Sequence, residues 1–531
     1  MKHSLVQRPK ITMDFVSPYL SGTTLTSSTG WFYARKLSTA PTKELAQQIE
    51  KMGASQWIEK QLNPDSITEN SQYEAERRAL FPSTFIKVGG GKTRDKNFWD
   101  TYQPGSKNHP YDVSVYVLQS ALHRLWGSNK HLQGTMAQFW ADILAVTIEK
   151  APNGYHDYVA LLFEGSLGKY KDLLYKITCS QSMSLFLDNN TNNRYALNEN
   201  MGRELLELHS WGTEKGYTQQ DVINVAKLLT GLGSNTNHEY TEARPDLHFF
   251  GPFKVAGKTF TNGGSTAADM YRTVRQLTDY LATDRYTGLR IARRLIQFFV
   301  GQDQNYEKLA QSLATTYVSN DTDIRPVLRQ LFASAEFKNS GGKTIRRPWA
   351  VLCSLMASGK LQMKGTHNLS NTGTIDSVLY KMFMTLKSNC GLPFDAPATN
   401  GYSLDANVWI NSTNYGMLTK FGRYTDYIST WDGDDPSSMA RWANKIVWSN
   451  KIGITLGKTK AQDAAKKTFE YLTGYAANNT QLVNAIAVYA VTRNEVQAAQ
   501  MANAGNEVIM NEGEVYRLVE AVLTAPHLLV A

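Results

Sequence analysis

Cysteine is nearly missing from this chain: Cys179, Cys353 and Cys390 are the three it has among 531 residues. They lie far apart and form no C-x-x-C, which excludes a zinc knuckle or a disulfide scaffold and leaves room for at most one bridge. Charge is sparse too, with 19% Asp, Glu, Lys and Arg and a net charge of +9. Basic residues gather only in short pieces such as Arg346-Arg347. A dedicated nucleic-acid face is therefore not expected, while an anionic glycan stays a candidate partner. No run approaches the roughly 18 apolar residues that span a bilayer. The opening "MKHSLVQRPKITMDFVSPYL" lacks the apolar core and cleavage site of a secretory signal, so export would need another leader or another route.

Catalytic signatures are as thin. There is no G-x-S-x-G elbow, no H-E-x-x-H and no telling carboxylate pair. His109, His123, His131, His156, His209, His238, His248 and His367 never fall at close metal-ligand spacing. His123 and His131 would share a helix face only if Gly127 did not interrupt it. "GGGKT" at 89–93 imitates the end of a phosphate-binding loop, but Ile86 stands where the first glycine is needed, so a basic loop is the better account.

Helical periodicity is what the chain has in abundance, and the fold class it implies is mainly α. Apolar spacing predicts helices over 42–62, 113–148, 155–187, 199–211, 218–232, 266–300, 304–318 and 323–336. Two stretches rich in Gly, Pro and aromatics, 81–112 and 234–265, break the pattern as long loops, the second with a short hairpin around "FKVAGKTF". The length suggests two to four packing units. We divide them into a core over 1–365 and a C-terminal helical region over 366–531 packed on it. The tail "EGEVYRLVEAVLTAPHLL" echoes the spacing of "DTDIRPVLRQLFASAEF".

One stretch does suggest chemistry. "LDNNTNNRYALNE" places Asp188, Asn190, Asn192, Arg194 and Glu199 at positions 1, 3, 5, 7 and 12 of a calcium loop, with the seventh ligand a backbone carbonyl. Asn193 takes the position that usually needs glycine. Calcium is thus the candidate cofactor. The alternative is a capped turn, with Asn198 as N-cap and Glu199 in the positive first turn. The helix that follows carries Glu199, Arg203 and Glu207 on one face, with Asn200 and Glu204 beside them and Met201, Leu205 and Leu208 toward the core. Thr218 and Asp221 then form a capping box.

From 187 to 232, "LDNNTNNRYALNENMGRELLELHSWGTEKGYTQQDVINVAKLLTGL" closely resembles the core signature of the bacterial domain-of-unknown-function family 1800. "LSTAPTKELAQQIEKMGASQWIEKQLNPDSI", "IARRLIQFFV", "DTDIRPVLRQLFASAEF" and "IRRPWAVLCSLMAS" resemble its other blocks. The resemblance implies common export and a neighbouring sulfatase-like partner, with no established activity. It marks Asp188, Asn189, Asn192, Asn198, Glu199, Asn200, Arg203, Glu204, Glu207 and His209 as the signature's polar residues; the position of Asn190 is often Ala. This chain departs in two blocks. "FWADIL" has Ala141 and Ile143 where the family has histidines, and "HFFGPF" keeps His248 but has Phe249 and Phe250 where the family has Asp and Pro.

These losses favour a non-catalytic binding or assembly protein, exported to the periplasm, cell surface or matrix, with a protein partner or its own copies, and with Asn200, Arg203, Phe249 and Phe250 as binding residues. The rival expectation is a metal-assisted enzyme on an extracellular polymer, using Glu204, Glu207, His209 and His248.

Overall fold

The segment expected as one helix over 42–62 is two, Lys43–Met52 and Ala54–Leu62, because Gly53 between them takes φ +85°, a conformation cheap only for glycine. Thr42 caps the first of them, its hydroxyl accepting from the Leu45 amide. This is the computed structural model of the chain. It describes residues 27–80, 110–234, 241–302, 306–361, 390–409, 446–491 and 506–523, with short pieces at 363–364, 386–388, 413–414, 418, 441–442, 525–529 and 531. The "GGGKT" loop, His109, His238 and His367 lie outside these residues.

Other long patterns break in the same way. The stretch 113–148 becomes Pro110–Gly127 and His131–Ile143, with Gly127 ending the first helix, so His123 and His131 sit on different helices. His123 Nε2 lies 2.9 Å from Glu76 Oε2 and His131 Nδ1 3.2 Å from Ser38 Oγ. The pattern over 155–187 resolves into Tyr155–Gly165, Tyr170–Thr178 and Gln181–Phe186, and that over 266–300 into Ala267–Ala282 and Arg285–Phe299. Periodicity finds the buried faces but not the short turns, which keep the same apolar phase.

Strands are few. Among the described residues there are three two-stranded antiparallel ladders, Leu232–Ser234 with Thr241–Ala243, Phe253–Val255 with Lys258–Phe260, and Met363–Lys364 with Arg441–Trp442. The second is the hairpin expected at "FKVAGKTF". Its two-residue turn has positive φ at Ala256 (42°) and Gly257 (93°), as a turn that matches the strand twist requires.

The fold is mainly α, and one apolar cluster runs from Trp31 to Leu529. The helices Ala461–Thr473, Thr480–Val491 and Glu512–Leu523 pack on one another. Arg35 near the N-terminus donates to the Thr473 carbonyl at the end of the first of them at 2.8 Å, and the turn Pro526–Leu529 that follows the last accepts from the Arg346 amide at the Leu529 carbonyl, also at 2.8 Å. The tail's echo of 321–337 is structural as well, each being a helix followed by a short helical turn. Among the described residues no helix is long and apolar enough to cross a membrane. None of the three cysteines is in a disulfide, and burial raises the thiol pKa of each, to about 12 for Cys179 and Cys390.

Candidate functional site

The signature loop is built by asparagines. Asp188 turns the chain through φ +59° after the helix Gln181–Phe186, and Asn189–Thr191 form a 3-10 turn. Asn189 is buried, and its amide donates to the Leu229 carbonyl at 3.1 Å and the Leu232 carbonyl at 2.5 Å. Buried Asn192 donates to the Ala226 carbonyl at 2.9 Å and to Asn189 Oδ1 at 3.0 Å. Ala226 and Leu229 belong to the last turn of the helix Gln219–Leu229, whose carbonyls have no partner within the helix. The two asparagines therefore satisfy a buried helix end. Asn192 Oδ1 accepts from the Asn198 amide at 3.0 Å, and the Asn192 carbonyl accepts from the Gly231 amide at 2.9 Å.

The N-cap of the next helix is Glu199, not Asn198 as the sequence suggested, and Glu199 makes no side-chain cap bond; Asn198 stands one residue earlier and its Oδ1 accepts from the Asn200 amide at 3.0 Å. Asn200 itself donates back to the Leu187 carbonyl at 3.2 Å, inside the joint. The helix Asn200–Glu207 then lies close on Gln219–Leu229 through Gly202, where a Cβ would stand 3.0 Å from the Ala226 nitrogen and 3.1 Å from the Val222 oxygen. Thr218 and Asp221 form the expected capping box. Asp221 Oδ1 also accepts from the Ala256 amide at 2.8 Å, which fastens the hairpin to this helix.

The calcium-loop candidates do not turn their side chains toward a common centre. Asp188 pairs with Lys150 at 2.8 Å, and Glu199 Oε2 accepts from Arg203 at 3.2 Å and from Gln219 at 2.5 Å. Asn192 faces the buried side, half-buried Asn190 packs its backbone against Gly233, and Arg194 is exposed with its guanidinium on Tyr195. The Arg194 amide donates to the Leu247 carbonyl at 2.9 Å.

The catalytic candidates are divided between two places. Glu204 and Glu207 are neighbours on the signature helix; burial, and then the Glu207 charge, raise the Glu204 carboxyl pKa. Glu207 accepts from Tyr217 at 3.2 Å. His209 is buried, its pKa lowered to about 3 by burial and by Arg290, and its carbonyl accepts from the Tyr170 hydroxyl. His248 lies in another block, with Nδ1 2.6 Å from the Thr230 oxygen and Nε2 2.8 Å from Asn262 Oδ1. It fastens the 248–262 segment to the end of the signature. Phe249 is half-buried under Lys227, and Phe250 is exposed beside the His248 ring.

A second site was not apparent in the sequence. The helices Thr29–Leu37, His131–Ile143, Arg285–Phe299 and Pro348–Gly359 surround a cavity of ≈ 280 Å³ lined by Arg35, Lys36, Lys343, Arg346 and Arg347, with Asp405 the acidic side chain there. It shares Gln297, Gln302 and Asp405 with an adjoining space of ≈ 420 Å³ that adds Arg290, Arg294 and Asp142. Asp142, from the "FWADIL" block, takes a buried fork from Arg347 at 2.6 and 3.1 Å. Arg346 donates to neutral oxygens, those of Leu528, Thr39, Ala350 and Ser354. Lys36 is 5% exposed and donates to Thr344 Oγ1 at 2.7 Å. The signature reaches this space at Leu208, whose carbonyl accepts from Arg290 at 3.0 Å.

The architecture is thus an all-helical frame with an asparagine-built joint and a basic cavity. The model of the family described as "Protein of unknown function (DUF1800)" matches residues 33–530, and the chain belongs to that family. No curated protein and no solved structure matches it.

Proposed function

We propose that the protein is a non-catalytic binding or assembly protein working outside the cytoplasm, at the cell surface or in the surrounding matrix. The observation that supports this most is the bonding of the signature: Asn189, Asn192, Asn198 and His248 are engaged with backbone and with one another. Buried polar groups so engaged hold a shape rather than react. Among the ion pairs that the joint presents outward stand two exposed aromatic rings. Tyr195 is 74% exposed and Phe250 39% exposed, on loops joined by the Arg194 to Leu247 bond. Aromatic side chains on firmly held loops suit contact with another protein, either a second copy or an exported sulfatase-like partner.

Light scattering on the purified chain, alone and with such a partner, tests this. We expect an assembly or complex that weakens at least tenfold in the double variant Tyr195→Ala, Phe250→Ala. A strict monomer that the partner ignores overturns it. The rival reading, an enzyme on an extracellular polymer, is favoured by the raised Glu204 carboxyl beside Glu207, since general acids are made in this way. It requires polymer cleavage that Glu204→Gln abolishes.

A further inference from the structure

Lys36 and Arg35 occupy adjacent buried positions on the first helix, and both reach the same cavity. An ammonium group leaves water at a cost of several kcal/mol unless an opposite charge answers it. Around Lys36 the charges that act on it are Arg35 and Lys343, both of its own sign, and together with burial they push its pKa well below the usual lysine value. Among the described residues no carboxylate pairs with Arg35, Lys36 or Arg346. Within the cavity Arg347 is answered by Asp142, and elsewhere Arg293 has Glu214 and Glu307 and Arg329 has Glu59. The excess of positive charge is local to one cavity.

We propose that this cavity is a binding site for a small ligand carrying at least two negative charges on oxygen, such as a phosphate or sulfate group or an acidic sugar bearing one. A dianion placed among Lys36, Lys343 and the Arg346 guanidinium supplies the missing counter-charge. It also favours the charged form of Lys36, against which burial and the charges of Arg35 and Lys343 act. Of the polar side chains on the same wall, Thr135 and Gln138 donate within the protein, whereas the Thr39 hydroxyl accepts from Gln138 and keeps its own proton for a guest. The adjoining space that begins at Gln297 and Gln302 leaves room for the rest of a larger molecule. The site is separate from the Tyr195 and Phe250 surface, so either proposal can fail alone.

The test is calorimetry and thermal melting of the full chain with sodium phosphate, sodium sulfate, a hexose phosphate and a disaccharide carrying two sulfates, each against sodium chloride at equal ionic strength. Saturable binding of at least one dianion is expected, with the melting temperature raised by roughly 2–3 °C near saturation. The arm that binds tightest identifies the source of the charge. Lys36→Met removes a buried like-charged group, so the ligand-free variant should melt no lower than the wild type, yet bind at least tenfold more weakly. Lys343→Gln, at the exposed mouth, should weaken binding several-fold and leaves the proposal testable should Lys36→Met not fold. Arg329→Gln, in a surface pair elsewhere, should change nothing. Absence of saturable binding in all four arms, or binding unchanged by both lysine substitutions, overturns the proposal.

Discussion

The Asn192 side chain meets partners of the complementary kind at both its nitrogen and its oxygen, whereas the charges that act on Lys36, those of Arg35 and Lys343, share its sign. The first arrangement is what folding alone selects, because an unmet amide or carbonyl costs about 1–3 kcal/mol and nothing returns it. The second is destabilising in the free chain, and a fold keeps such a feature where something other than folding uses it. The signature helix ends at Leu208, whose carbonyl holds Arg290 on the wall of the space adjoining the cavity. Each prediction below breaks one side of the contrast and leaves the other.

The largest effect belongs to the joint. Asn192→Ala strands the Ala226 carbonyl, Asn189 Oδ1 and the Asn198 amide together, and we expect a loss of about 3–5 kcal/mol in urea unfolding at pH 7. Asn192→Asp should not restore it, since a carboxylate offers the Ala226 carbonyl no donor. A loss under about 1 kcal/mol would mean that water replaces the side chain and that the joint is not a buried lock.

Acid comes next. His209 in the folded chain has its pKa lowered to about 3, below the ordinary 6.5, so between these values the unfolded chain binds the extra proton. Stability from this group is therefore full above about pH 6.5 and falls as pH drops toward 3, by an amount on the order of 3–4 kcal/mol. His209→Asn should flatten that slope whatever it does to stability at pH 7. An unchanged slope would move the acid sensitivity to other histidines, such as half-buried His131, whose pKa is lowered to about 4 by burial.

Much of the joint was legible in sequence, and almost none of the cavity was. The Thr218 and Asp221 box is a local signal acting within three residues and caps as expected; Thr42 caps its helix over the same span, and Asn198 bonds the Asn200 amide from one residue before the N-cap. The hairpin was legible for the same reason, its turn residues lying between its strands. The splits at Gly53 and Gly127 were lost because the apolar phase runs on across them. The asparagines were visible, but their targets, the carbonyls of Ala226 and Leu229, lie more than thirty residues away. Their number suggested cation ligands before it suggested a helix end. The cavity draws Arg35, Lys36, Lys343, Arg346 and Arg347 from two segments some three hundred residues apart, and "RK" and "RR" alone are unremarkable pairs. Asp142 drew no notice because the block around it was compared for the histidines it lacks.

Gly202 gives a smaller and more finely balanced effect. Alanine normally gains up to about 1 kcal/mol over glycine inside a helix. Here its Cβ would stand 3.0 Å from the Ala226 nitrogen and 3.1 Å from the Val222 oxygen, both backbone atoms of the facing helix. Overpacking of this kind costs about 1–3 kcal/mol. The contact should win, and Gly202→Ala should lower stability by about 1 kcal/mol. A gain would show that the two helices can part without disturbing the asparagines between them.

The smallest effect settles the loop at 188–199. A calcium ion there would need Asp188, Asn190, Asn192 and Glu199 to face one point, and its binding energy would add to folding. Instead Asp188 holds Lys150, Glu199 holds Arg203 and Gln219, and Asn192 Oδ1 holds the Asn198 amide. Gathering them would break all of these bonds, including the buried one. We therefore expect melting curves in millimolar calcium and in chelator to coincide, and Glu199→Gln to change stability by no more than about 0.5 kcal/mol, as for an exposed pair. Asn198→Ala should cost about 1 kcal/mol in either solution, because it removes the bond to the Asn200 amide at the helix start. A calcium-dependent rise that Glu199→Gln abolishes would reverse this account. The loop would then be a cation cage that opens its present bonds on binding, and the joint would share with the cavity the property of being completed by a ligand.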